Sequence, residues 1–122
     1  MYGYKRHLAV AVALGVCLVA LTGSALAAPP AQPPGPGTRL TVSSTGYCLR
    51  GTTATGIPTG WGVVAVDPAV IPLGTRMSIP GYGEGVAADT GPGVRGAAID
   101  LWFPTCSQAV AWGRQVITIT LL

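Results

Sequence analysis

Four carboxylates, Asp67, Glu84, Asp89 and Asp100, are all the acidic side chains of this 122-residue sequence. Two of them, Asp89 and Asp100, each follow a run of small or apolar residues within VAADTGPGVRGAAID, Val86 to Asp100. Such flanks predict burial, and a buried ionised group must find partners or keep its proton. Other reactive groups are scarce. The only lysine (Lys5), the only histidine (His7) and one of three cysteines (Cys17) fall within the first 27 residues, which have the form of a cleaved leader. A Ser-His-Asp triad is thereby excluded from the mature chain, and so is a zinc site built on histidine. Carboxylate acid–base chemistry remains. It suits a glycosidic bond, whose leaving oxygen takes a proton from an acid.

Asp100 fits that acid best. In a strand AIDLW the pleat places Ile99 and Leu101 on one face and Asp100 with Trp102 on the other, so the carboxyl shares its surface with an indole. That neighbour disfavours the charged form and raises the carboxyl pKa, leaving a fraction protonated near neutral pH. A strand-end aspartate satisfied by loop amides is the plainer alternative. Asp89 closes another strand and enters the loop TGPGVRG; it either orients Asp100 or a sugar hydroxyl, or bonds amides of its own loop. Asp67, in an Asp-Pro pair, is explained by capping a helical turn. Glu84, in a Gly-rich turn, reads as solvated. Arg95, on the loop after Asp89, can hold a substrate carboxylate or peptide through its planar fork, or stay in water. Tyr47, Trp61, Trp102 and Trp112 are candidate sugar-stacking rings, of which at least two belong to the core. The DTG at Asp89 to Gly91 is shared with aspartic proteases, but three residues are weak evidence and those enzymes need a second such aspartate.

These groups need a scaffold, and the composition points to strands. With 9% charged and 49% hydrophobic residues, 18 Gly and 11 Pro, one compact β-rich domain is expected. The leader, residues 1–27, runs from Lys5 and Arg6 through fourteen apolar-rich residues, Leu8 to Leu21, to small residues at Ala25 and Ala27. It is too short to span a membrane and is read as a signal peptide, with no anchoring once it is removed. Beyond it, five arginines face four acids, a net charge of +1, which gives no pull toward nucleic acid. Cys48 and Cys106 are expected to pair in the oxidising compartment this leader implies. A cysteine nucleophile, the alternative, would lack a histidine to activate it.

Residues 28–37, APPAQPPGPG, form a Pro-rich spacer. The folded domain is expected over 38–122. Strand patterns cover RLTVSSTGY, WGVVAV, TRMSI, EGVAAD, AAIDLWF and RQVITITL, with the fully apolar WGVVAV suited to burial on both faces. DPAVIPLG predicts one helical turn, and SQAVAWG a short helix capped by Ser107 and ended by Gly113. Six strands in so short a domain favour a closed barrel, which leaves no exposed strand edge.

The run AVDPAVIPLGTRMSIPGYGEGVAADTGPGVRGAAIDLWF, with TGY upstream and AWGRQVITI downstream, closely resembles the bacterial 3D domain, named for three aspartates. They fall on Asp67, Asp89 and Asp100, 22 and 11 residues apart, and the likeness extends from about Thr45 to Leu121. The resemblance implies a mainly β fold, a six-stranded double-psi β-barrel with one or two short helical segments. It is a barrel related to a lytic murein transglycosylase and to small secreted stationary-phase wall proteins. The implied reaction cuts the bond between N-acetylmuramic acid and N-acetylglucosamine without water, giving a 1,6-anhydro product. By the same resemblance Asp100 is the catalytic aspartate, Asp89 and Asp67 its companions, and Thr45 and Tyr47 a cleft element. One departure is Val94-Arg95-Gly96, where the family often has Ile-Lys-Gly. The expectation is a secreted monomer acting on peptidoglycan glycan strands, with no cofactor and no metal. A non-catalytic module that binds or loosens wall polysaccharide is the alternative, because fold does not decide activity.

Overall fold

Alternation of β-branched and polar residues makes Arg39–Tyr47 the first strand, β1, and Gln115–Leu121 the last, β6. In the computed structural model, which describes residues 32–122, these two pair antiparallel, from Arg39 opposite Thr120 to Ser44 opposite Gln115. The expected leader, 1–27, and the start of the spacer lie outside the described residues. Between β1 and β6 come β2 (Val63–Val66), β3 (Arg76–Ile79), β4 (Gly83–Asp89), β5 (Ala98–Trp102) and one helix, α1 (Cys106–Trp112). The strands close into a barrel in the order β1-β5-β2-β4-β3-β6. β1/β5 and β2/β4 are parallel and the other pairs antiparallel. The chain is thus the mainly β, six-stranded barrel of the double-psi kind.

Two apolar layers hold it. Val42, Val64, Val66, Met77, Ile99 and Leu101 belong to the main core inside the barrel, and each such side chain contributes about 1.5–3 kcal/mol on burial. Val63, Ala88 and Trp102 form a second, smaller cluster with Tyr47 and Val86 against it. β2 lies between the two layers, which is why all four of its residues are buried and why its sequence shows no alternation.

One local expectation is corrected. The helix starts earlier than Ser107: Thr105 is the N-cap, with extended backbone and a side chain that accepts from the Gln108 N–H at 3.2 Å. Thr105 also donates to the Gln108 side chain, so a Thr-x-x-Gln pair fixes the first turn and Ser107 lies within it. Gly113 ends α1 as expected, at φ 64°. After Asp67 comes the single turn expected, with the N–H groups of Val70 and Ile71 both donating to the Asp67 carbonyl. Cys48, just past β1, and Cys106, at the start of α1, form a disulfide with their Cα atoms 5.0 Å apart.

The barrel interior leaves no room at Gly85 on β4. A Cβ there would sit 2.7 Å from Val64 Cγ2 and 3.0 Å from Ile79 Cδ1. Gly85→Ala is expected to lower the denaturant midpoint by the equivalent of about 1–3 kcal/mol, the usual cost of overpacking a filled core. An unchanged midpoint would mean that β2 and β3 yield more readily than their packing suggests.

Candidate active site

The parallel register of β1 and β5 sets Thr45 beside Asp100 and Tyr47 beside Trp102. Ile99 and Leu101 point into the core, so these four residues share the outer face of the sheet. Thr45 Oγ1 donates to Asp100 Oδ1 at 3.0 Å. Asp100 is half-buried, and that burial pushes its carboxyl above the ordinary aspartate range; the Thr45 hydrogen bond opposes the rise and the nearby charge of Asp89 adds to it. Trp102 is only 6% exposed, and its Nε1–H donates to the Leu49 carbonyl at 2.9 Å. Its ring packs into the second cluster and offers no open face to a sugar.

Asp89 reaches the same surface through an irregularity. On β4 the register against β2 runs Val63 to Val86 and Val64 to Ala87, then skips to Ala65 opposite Asp89. Ala88 is the extra residue of a β-bulge. Strict alternation would turn Asp89 inward with Ala87; the bulge inverts the parity and brings it to the outer face. Ala65 also pairs with Asp100 on its other side, so the two aspartates flank one residue, two strand spacings or about 10 Å apart between backbones. Asp89 Oδ1 accepts from the N–H groups of Ala54 (3.1 Å) and Thr90 (2.9 Å). Its Oδ2 accepts from the Tyr47 hydroxyl at 3.3 Å, which ties β1 to a strand that is not its neighbour. Burial first, then the charges of Asp89 and Asp100, drive the Tyr47 hydroxyl far up, so it remains a donor.

Asp67 does a different job. Its Oδ1 accepts from the Ala69 N–H at 3.0 Å within its turn, and its Oδ2 from the Gly96 N–H at 2.8 Å. Those bonds, Gly96 first, hold its carboxyl below the ordinary range, with a smaller contribution from Arg95. Asp67 therefore pins the loop that carries Arg95, and its recorded bonds go to that loop and its own turn, not to Asp89 or Asp100. Arg95 is exposed, its Nε donating to the Pro92 carbonyl at 3.4 Å. Glu84 is exposed and pairs with Arg76 across β3 and β4.

Of this cluster, Thr45 is the residue that lines one of the surface grooves. One groove, about 480 Å³, is lined by Ile57, Pro58, Trp61, Val63 and Val86. Trp61 is 56% exposed and stacks on the buried Tyr82 at 4.2 Å between ring centroids. Tyr82 is itself fixed, accepting from the Gly62 N–H at 2.9 Å and donating to the Trp102 carbonyl at 2.8 Å. Trp61 is thus a supported aromatic platform, whereas Trp112 is tied inward, its Nε1–H donating to the buried Ser44 hydroxyl. The role of Tyr82 was not visible in the sequence, where PGYG signals only a turn. A second groove, about 290 Å³, is lined by Thr45, Ile99, Arg95 and Arg114 among others.

The sequence model of the 3D domain matches residues 62–122. YabE of Bacillus subtilis (strain 168), a protein named for cell wall shaping, is 44% identical over 93 residues, which is 68% of this chain and 23% of YabE. The cell wall-binding protein YocH of the same organism is 42% identical over 92 residues, 68% of this chain and 32% of YocH. The chain therefore spans less than a third of either relative. In structure it is similar to MltA from Escherichia coli, whose crystal structure was described as a unique lytic transglycosylase fold. The TM-score is 0.50 at 21% identity, over 60% of this chain and 27% of that one. At that identity the likeness is one of fold.

Proposed function

The chain belongs to the 3D domain family, and from that premise we propose that it is a secreted lytic transglycosylase of peptidoglycan with Asp100 as its single acid/base. The observation that carries this reading is the half-buried Asp100 carboxyl, displaced upward by burial and held in place by Thr45. Protonated Asp100 gives its proton to the glycosidic oxygen as the C1–O bond to N-acetylglucosamine breaks. The muramyl 6-hydroxyl attacks C1 and forms the new C1–O6 bond, and its proton returns to Asp100. No water is consumed, so one carboxyl serves where hydrolysis uses two. Asp89 and Tyr47 brace the cleft, Asp67 sets the loop bearing Arg95, and Trp102 backs the acid as packing. Trp61, on a separate groove from Thr45, offers a stacking face for a sugar ring.

A second reading, a module that binds wall polysaccharide without cutting it, is favoured by the name of YocH and by the exposed Trp61 platform. Residues 1–27 serve in both as a signal peptide, with the barrel acting as a monomer in the wall. The two readings part on products. Protein recovered from the medium of a host expressing the full chain is expected to release 1,6-anhydromuramyl fragments from peptidoglycan, detected by mass spectrometry. Binding with no such fragments would establish the second reading instead.

A further inference from the structure

We infer that the groove beside Thr45 is a carboxylate site in which Arg95 and Arg114 hold the acidic substituent of a muramyl residue, an inference that rests on the glycan reading above. The groove, about 290 Å³, is lined by Ser43, Thr45, Arg95, Ile99 and Arg114, with no acidic side chain among its walls. Its two cations come from distant parts of the chain, one on the loop after β4 and one between α1 and β6. Both are exposed, and among the described residues the one ion pair is Arg76 with Glu84. Asp67, whose charge Arg95 favours and with which it lines a neighbouring groove, accepts from the Gly96 and Ala69 amides and makes no ion pair with it. Two arginines on the walls of one groove, neither in an ion pair, suit an anion from outside, and their planar forks suit a carboxylate.

Position adds the consequence. Thr45 lines the groove and also donates to Asp100, so an anion held there lies one residue from the acid. In peptidoglycan only the muramyl sugars carry a lactyl group, which ends in a carboxylate or extends into a peptide with carboxylates of its own. The two sugars are otherwise closely alike, and a cleft that grips rings alone would accept either alternate linkage at Asp100. A carboxylate clamp on one side of the acid fixes the register by one sugar and presents only one of the two linkages for cleavage.

The test compares three probes on the secreted protein by titration calorimetry: peptide-bearing glycan strands, strands stripped of peptide that keep the lactyl carboxylate, and chitin oligosaccharide of equal length, which has none. At least one carboxylate-bearing strand is expected to bind about tenfold tighter than chitin. Preference for the stripped strand identifies the lactyl carboxylate as the anion, and preference confined to the peptide-bearing strand identifies the peptide. Arg114→Gln or Arg95→Gln should bring that ratio toward one, and Arg114→Lys should restore part of it. A melting curve for each variant checks that the barrel is intact. Equal binding of chitin and both peptidoglycan strands, or a ratio that survives both glutamine variants, overturns the carboxylate site and leaves the glycan reading standing. Failure to bind any of the three overturns both.

Discussion

Asp100→Asn is expected to lower the release of anhydromuramyl product by about a hundred- to ten-thousandfold, the usual contribution of a positioned acid/base, while the barrel stays folded. Asparagine keeps the shape and still accepts the Thr45 hydroxyl bond, but it has no proton to give at the glycosidic oxygen. The stability side has a definite sign. A carboxyl whose folded pKa is raised contributes stability below its unfolded pKa and loses that contribution as pH rises through the folded value. Asp100 is such a group, so its ionised form is held at a cost that the amide does not bear. The variant should therefore be at least as resistant to urea as the parent at neutral pH, with the difference shrinking in acid. Asp67 runs the other way: its lowered carboxyl supports the fold above the unfolded pKa and ceases to as pH falls through the folded value. Asp67→Asn in the same urea series should lose stability at neutral pH. An Asp100→Asn protein that retains turnover within a few fold, or that unfolds at neutral pH, would assign Asp100 a structural role.

That contrast between two aspartates of one family motif was only partly legible in the sequence. The six strands could be read because each leaves a pattern: β6 alternates because one of its faces meets the core, and β2 does not because both of its faces are covered. The shared face of Asp100 and Trp102 follows from the pleat alone. What Trp102 does on that face does not, since whether an indole is open or packed depends on Val63 and Ala88, which arrive from other strands. Asp89 shows the limit more sharply. Its side depends on whether one residue of the Ala87-Ala88 pair is left without a partner on β2, and two identical small side chains carry no signal of that. The Asp67 bond to Gly96 spans 29 residues, so the capping role was readable locally and the loop-pinning role was not. The misplaced helix cap has a similar origin: Thr105 and Ser107 are equally good caps in isolation, and the side-chain bond between Thr105 and Gln108 decides between them.

Removing the disulfide should cost more stability than any change at the site. Cys48 and Cys106 lie 58 residues apart, and closing a loop of that length in the unfolded chain is worth on the order of 4 kcal/mol in the chain-entropy model. A domain of this size has a total stability of about 5–15 kcal/mol, so the bridge is a large share of it. The enclosed loop contains β2, β3, β4 and β5, with Asp67, Asp89 and Asp100 among its residues, and these strands must find β1 and β6 again after each unfolding. The double variant Cys48→Ser/Cys106→Ser is expected to melt about 15–30 °C lower, at the 4–8 °C per kcal/mol typical of small domains. Dithiothreitol should lower the parent by a similar amount and leave the double variant unmoved. None of the hydrogen bonds to Asp67, Asp89 or Asp100 comes from either cysteine, so turnover well below the new melting point should persist. A shift of only a few degrees would mean that the unfolded chain already keeps the two cysteines close, and a loss of activity in the cold would mean that the bridge shapes the cleft directly.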